Sequence, residues 1–412
     1  MLNSTLDTGL PPLPAYSLTP REPLLPPIPD YIIVLILPIL AYWIVSMVFH
    51  WIDVNDYFSQ YRLHTPEELL QRNHVSRWEV VRDVVIQQII QTVFGLLMAY
   101  VEETEYVGKE DYDIAVWARR IRIAQRVIPR LLLLLGIDAT GLAGKLSSYP
   151  ALAVAITGGQ HSTLTQEVVL DTGSIVITPA FAKWELLAAS AVYWYLIPAV
   201  QFLFAIFFVD TWQYFLHRAM HMNRWLYTTF HSRHHRLYVP YAFGALYNHP
   251  VEGFLLDTAG TGIAFLLSRM TARQAMWFFT CSTIKTIDDH CGYAFPFDPL
   301  QHITSNNAAY HDIHHQSWGI KTNFSQPFFT FWDRLLDTKW RGGDVTLRYE
   351  RARLQASRAM KDHDQSPKAG KEDQPARSLL TKSVSKTATP FSPQTEPLKN
   401  TSHRLNGSIL HK

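Results

Sequence analysis

Two stretches of the chain run without a charged side chain for a membrane-crossing length, Tyr31 to Ile52 and Leu186 to Val209. A helix rises about 1.5 Å per residue and needs about 20 apolar residues to cross a hydrocarbon core, so each stretch predicts a transmembrane helix. Val84 to Val101 is also uncharged but contains Gln87, Gln88 and Gln91. It reads either as a span packed against other helices or as a segment lying at the interface. Glu252 to Ser268 and Ala272 to Ile287 are shorter apolar stretches parted by Arg269-Met270-Thr271, a pattern that fits a helical hairpin dipping into the bilayer. Between Asp53 and Lys183 the number of spans stays open. There, Arg119, Arg120, Arg122, Arg126 and Arg130 interleave with apolar residues, as expected of a segment at the membrane surface. The expected fold class is all-α, an integral membrane helical bundle.

Composition refines this picture at the ends. Residues 1–29 are proline-rich, and beyond about residue 360 the chain turns to Lys, Ser, Thr, Pro and Gln. The first segment is expected to be extended or disordered, and the tail disordered for lack of apolar content. A formal charge of +2 argues against a nucleic-acid binder, and two cysteines make neither a disulfide framework nor a thiolate metal site. The first apolar run starts too late and lacks a cleavage site, so it reads as an anchor. Arg62, Arg72, Arg77 and Arg82 follow the first span, and Arg218, Arg224, Arg233 and Arg236 follow the 186–209 span. Both flanks therefore read as cytosolic. Asn3-Ser4-Thr5 fits a lumenal glycan acceptor, although sequons also occur at Asn323, Asn400 and Asn406.

Candidate chemistry lies in the histidines. Eleven of the 18 fall between His217 and His315. They form His217-x3-His221, His231-x2-His234-His235 and His311-x2-His314-His315, with His249, His290 and His302 standing singly. On a helix, positions i, i+3 and i+4 share a face, so each box would aim its imidazoles one way. So dense a group repels itself if protonated, whereas neutral imidazoles around cations are stable. Eight histidines exceed the ligands of one ion, which points to two metals held in a cap at the cytosolic boundary. Imidazole suits zinc, copper, nickel and iron alike. His290 is taken as a further ligand, with Asp288 and Asp289 suited to fix its tautomer; His249 is either a ligand or the cap of a turn before Pro250.

These boxes resemble those of the fatty acid hydroxylase superfamily of membrane non-haem di-iron enzymes. Within it, "FHSRHHRLYVPYAFGALYNHPVEGFLLDTAG", "STIKTIDDHCGYAFP" and "NNAAYHDIHHQSWGIKTNFSQPFFTFWDRLLDT" are similar to fungal sphingolipid 4-hydroxylases, over roughly residues 185–340. The resemblance implies hydroxylation at carbon 4 of a long-chain base, free or in ceramide, giving a phytosphingosine-type product. It implies two iron ions held by the box histidines, with His290 and His249 as weaker matches, and oxygen as cosubstrate. No His-Pro-Gly-Gly or Gly-x-Gly-x-x-Gly signature occurs. Electrons are therefore expected from NAD(P)H through a separate cytochrome b5 or reductase. Residence in the endoplasmic reticulum membrane likewise rests on the resemblance. Tyr238, Tyr241 and Asn248, beside the second box, are candidates for reading the amino-diol head, with ordinary packing as their alternative role. Trp332 and Asp333 are expected to stabilise the cap.

The resulting organisation is a disordered 1–29, membrane spans and an interfacial region over 30–183, a catalytic domain over 184–340, a connecting segment 341–360 and a disordered tail 361–412. The nearest alternative is a sterol desaturase or sterol methyl oxidase of the same superfamily. A non-enzymatic metal transporter would place its site at mid-membrane instead, and a structural zinc protein would be insensitive to oxygen.

Overall fold

In the computed structural model, which describes residues 9–101, 104–159, 164–169 and 173–365, the first uncharged run forms α1 (Asp30–Val54). A short helix α2 (Pro66–Arg72) follows, its start closed by a reciprocal capping box between Thr65 and Glu68. The glutamine-bearing run is α3 (Arg77–Val101). It is a packed helix: Gln87 and Gln88 are buried, and the Trp43 indole of α1 donates to Gln88 Oε1 at 2.9 Å. A Cβ on Gly95 of α3 would stand 2.2 Å from Leu35 Cδ2, so these two helices approach as closely as they do because that position is glycine.

After α4 (Glu110–Gln125) and three short helices, a hairpin pairs Thr165–Val169 with Ile175–Pro179. One long helix, α5 (Lys183–Met222), then carries the second uncharged run. A π-turn over Val192–Leu196 precedes Pro198. Proline has no N–H to donate to residue 194, and the wider turn absorbs the missing bond. The expected hairpin is α6 (Pro250–Ser268) and α7 (Ala272–Asp289), joined at Arg269–Thr271. Further along the chain, and apart from short turns of helix, come α8 (Ala308–His315) and α9 (Thr346–Gln365). Among the described residues α1, α3, α5 and α6 are long and apolar enough to cross a membrane.

Salt bridges and pairings order the bundle end to end. At one end, Arg273 meets Asp30 at 2.8 Å, Arg21 meets Glu105 at 3.0 Å, and Thr19–Pro20 pairs with Tyr106–Val107. At the other, Arg236 and Arg233 of the second box region pair with Glu79 and Asp83 near the start of α3, at 2.6 and 3.2 Å. Tyr42 near the middle of α1 donates to Phe243 O at 2.9 Å. Thus α1, α5 and α7 run toward the histidine end, while α3 and α6 run away from it.

Residues 9–29 take the extended one of the two forms expected, and two other expectations change. The extended segment is held: the Arg119 guanidinium donates to Pro11 O at 2.6 Å and that of Arg273 to Glu22 O at 2.5 Å. Arginines from elsewhere thus satisfy carbonyls of this segment, in addition to the pairing of Thr19–Pro20 and the bond from Ile28 N to Leu25 O. Thr346–Gln365 is helical and packs on α2, where composition suggested a connecting segment and the start of a tail. Residues 366–412, including Asn400 and Asn406, lie outside the described residues, as does Asn3. Finally, Arg122 of α4 bonds Glu185 in the first turn of α5, at the end away from the boxes. Basic residues therefore flank both ends of the bundle, and charge alone does not set its orientation.

Candidate metal centre

Nine histidines gather in two adjoining groups. His217, His221, His231, His235 and His314 form one, and His234, His290, His311 and His315 the other, with ligand atoms inside each group all within 4.8 Å of one another. All nine are buried. Rings of the two groups approach to 5.0 Å between centroids, for His235 and His315.

The boxes do not map one to a group. His217 and His221 sit in the last turns of α5, at the i, i+4 spacing that aligns them. The second box is not the regular α-helix its spacing predicts: His231 ends a π-turn (Tyr227–His231) and His234–Arg236 is a 3-10 turn. That irregular backbone turns His234 toward the second group while His231 and His235 face the first. On α8, capped by Asn307, His311 and His315 face the second group and His314 the first.

In five of the nine, the ring nitrogen away from the centre is committed as a donor to a backbone carbonyl. Nδ1 of His217 donates to Phe324 O at 2.8 Å, that of His314 to Thr322 O at 2.7 Å, and that of His315 to Leu237 O at 2.8 Å. His234 and His290 do the same to Tyr247 O and Thr286 O, at 3.1 and 2.8 Å. Carbonyl oxygens only accept, so each of these imidazoles carries its proton on Nδ1 and a lone pair on Nε2. Burial holds His231 and His290 down to about 3 and His234 down to about 4, so they are neutral at pH 7.

The Nε2 atoms then meet lone pair to lone pair. His234 and His315 face each other at 3.2 Å although both have spent their proton elsewhere. His314 Nε2 is buried and without a partner among the described residues. Such contacts repel unless a cation lies among them, so the donor set fits two metal ions. It is made of neutral nitrogen with no carboxylate in either group, a set that iron, zinc or copper would accept.

Acids stand around the histidines, and the role of Glu252 among them is one the sequence does not announce. Glu252, fully buried on α6, bonds His231 Nδ1 and accepts from the backbone of His249 at 3.4 Å. Asp333 accepts from Phe324 N, Ser325 N, Tyr310 Oη and Thr338 Oγ1, at 3.0, 2.8, 2.9 and 2.6 Å. It fixes the loop whose carbonyls orient His217 and His314. Asp288 and Asp289 do not hold His290, whose Nδ1 goes to Thr286. Asp288 instead takes Gln301, and Asp289 takes Lys285 and Asn306. The available signal for Glu252 was an acid in an apolar helix, which carries only Asp257 besides it, a position that is costly unless used.

The other candidates separate. His249 lies outside both groups among the described residues and caps the start of α6, accepting from Val251 N at 3.2 Å. Tyr238 packs on His74 at a surface groove, and Tyr241 is buried in the apolar core with Tyr42 and Phe243. Asn248 alone of the three faces the metal cavity, whose wall includes His231, His234, His290 and His311.

That cavity adjoins an apolar slot between α1, α3, α6 and α7, lined by Leu35, Pro38, Phe94, Met98, Phe265 and Phe279. Gln213, Asp257, Thr286 and Pro327 line both. Along α7 the slot reaches from Ala272 to Thr286, about 21 Å at the helical rise.

The segment 202–338 matches the fatty acid hydroxylase family model. The chain is 44% identical over 329 residues to sphingolipid C4-hydroxylase SUR2 of Saccharomyces cerevisiae, covering 80% of this chain and 77% of that protein. The chain belongs to the fatty acid hydroxylase family. It is also 37% identical to sphinganine C4-monooxygenase 2 of Arabidopsis thaliana, over 73% of this chain and 85% of the relative. Methylsterol monooxygenase 1 of Rattus norvegicus matches at 37% over 131 residues, only 31% of this chain and 43% of that protein. No solved structure matches the chain. The fatty acid hydroxylase family is iron-dependent, and the matched segment of this chain contains all nine gathered histidines.

Proposed function

We propose that the chain hydroxylates carbon 4 of a sphingolipid long-chain base, taking sphinganine to phytosphingosine. The observation that carries this reading is the apolar slot ending at a pair of all-histidine groups inside a membrane bundle. One oxygen atom from O2 enters a C–H bond, the other leaves as water, and two electrons and two protons complete the balance. Iron at the two groups, once bound, supplies the oxygen activation.

The protein's share is geometric. Methylenes along an alkyl chain differ too little to be told apart by polarity, so one carbon is chosen by holding the chain in register. The slot receives the tail and keeps water from the site. The carbonyls of Phe324, Thr322, Leu237, Tyr247 and Thr286 hold five imidazoles in one tautomer, and Glu252 anchors His231. His217, His221, His231, His234, His235, His290, His311, His314 and His315 are the proposed ligands.

Electrons come from NAD(P)H through a separate cytochrome b5 or reductase, which supports a histidine end facing the cytosol and residence in the endoplasmic reticulum membrane. The domain limits follow the same reading, with catalysis in 184–340. A sterol substrate is disfavoured because the methylsterol enzyme resembles less than a third of the chain. A transport role is disfavoured by nine buried ligands, five of them locked through Nδ1 to backbone carbonyls. The test is lipid profiling of a cell lacking the chain, before and after restoring it. Phytosphingosine is expected to return with the chain; restoration of a sterol product, or of neither, would refute the proposal.

A further inference from the structure

Three carboxylates line the metal cavity: Glu252, Asp257 and Asp289. Glu252 is engaged by His231 and the His249 backbone, and Asp289 by Lys285 and Asn306. Asp257 differs. Its side chain takes one long bond, from Asn248 Nδ2 at 3.3 Å, and among the described residues no Lys, Arg or His pairs with it. It sits within the π-turn Phe254–Ala259 of α6, a helix otherwise apolar enough to cross a membrane. A wide turn of this kind commonly marks a functional position in a helix. The residue is only half-buried, because it looks into both the metal cavity and the slot. A carboxylate without a counter-ion in such surroundings is costly unless a ligand supplies the charge.

We propose that Asp257, steadied by Asn248, receives the amino nitrogen of the substrate and so selects a free long-chain base over its N-acylated form. This deepens the function proposed above and rests on it. In a long-chain base the nitrogen on carbon 2 is three bonds from carbon 4, a reach of about 3.5 Å. An ammonium held at the junction of the two cavities therefore leaves carbon 4 beside the histidines and sends the tail into the slot. Acylation turns that ammonium into a neutral amide and adds a second chain. The charge pair is then lost.

The test compares microsomes carrying wild type or Asp257→Asn, fed sphinganine or N-acetylsphinganine, with iron measured on the purified proteins. Asparagine keeps the shape and removes the charge. The expected result is a KM for sphinganine raised about ten- to a hundred-fold, the range of a hydrogen bond to a charged group, with little change for N-acetylsphinganine and iron content as in wild type. Equal losses on both substrates, or no change on either, would overturn the assignment while leaving 4-hydroxylation by wild type intact. Wild type inert toward sphinganine would sink the functional reading and this one with it. Should Asp257→Asn fail to load iron, Asp257→Glu carries the test and is expected to keep the preference for the free base; an equal rate on the two substrates would count against it. Wild type alone gives an independent reading. Octadecylamine should inhibit at about a tenth or less of the concentration of octadecanol, and equal potency of the two would refute a carboxylate partner.

Discussion

At the scale of single residues, the nine histidines are distinguished by what their outer nitrogens do. His314 and His234 make the point in different groups: each spends Nδ1 on a carbonyl, Thr322 O for one and Tyr247 O for the other. Each thereby offers a lone pair inward. Metal binding to such sites couples to folding locally, since neutral imidazoles massed without a cation repel. His314→Ala and His234→Ala are each expected to abolish 4-hydroxylation while the protein still inserts in the membrane. Elemental analysis should find about one iron lost from each variant, because the two residues belong to different groups. Full turnover in both variants would remove these residues from the site. The boxes were legible because a spacing of three and four residues is a local property. Glu252 and Asp257 were not, because their value lies in partners reached only by folding, such as His231 for Glu252; Asp333 was expected in the cap, but its partners in the Phe324 loop were not readable from the chain.

At the scale of elements, α7 does two things with one face. Ala272, Ala275, Phe279, Ser282 and Thr286 recur at helical spacing along the slot, and the last of them orients His290 through its carbonyl. A tail lying against α7 is thus measured from the metal end. An extended chain advances about 1.2 Å per bond, so Ala275, eleven residues before Thr286, stands about 16 Å from the site. Ala275→Phe is expected to shift preference from eighteen-carbon sphinganine toward bases several carbons shorter. Competition between bases of graded length reads this, and an unchanged length profile would show that the tail lies elsewhere.

His64 staples three elements of the histidine end. Its ring bonds Glu68 of α2 at 3.1 Å and Asp312 of α8 at 2.9 Å, and packs on Tyr349 of α9, whose hydroxyl also donates to Asp312 at 2.5 Å. Arg72 and Arg353 stand behind Glu68, and Gln316 completes the shell. Burial opposes the imidazolium, but the Asp312 and Glu68 carboxylates overcome it and hold His64 up to about 9. A folded pKa above the unfolded value of about 6.5 contributes stability that is complete below pH 6.5 and lost as pH rises through 9. The melting temperature of detergent-solubilised wild type should therefore fall toward that of His64→Gln across this window. A gap between the two that stays constant from pH 6 to 10 would show that no charge is involved. Nothing in the local sequence of His64 set it apart, since both carboxylates and the tyrosine come together only in the fold.

At the scale of the whole molecule, helix direction replaces charge as the guide to topology. The uncharged lengths of α1 and α5 were readable from the chain, and so was the α6–α7 hairpin. Orientation was not, because the arginines of α4 turn out to lie at the end opposite the boxes, where Arg122 meets Glu185. With α1, α5 and α7 all running toward the histidines and α3 and α6 away from them, residues 9–29 and the segment from α4 to the start of α5 share one side. The histidine groups, α2, α8 and α9 share the other. A proposal of cytosolic electron supply requires the first side to be lumenal. Gly144→Asn with Leu146→Ser creates an acceptor sequon at an exposed position on that side, and it is expected to gain a glycan removable by endoglycosidase. The native sequon at Asn323 should stay bare on either topology. Its side chain is buried and occupied, donating to Tyr310 O at 2.9 Å and accepting from Trp340 N at 2.7 Å. The informative control is therefore a second acceptor built on the exposed loop near Gly343. A glycan there and none at position 144 would invert the bundle, put the histidines in the lumen and separate them from any cytosolic reductase.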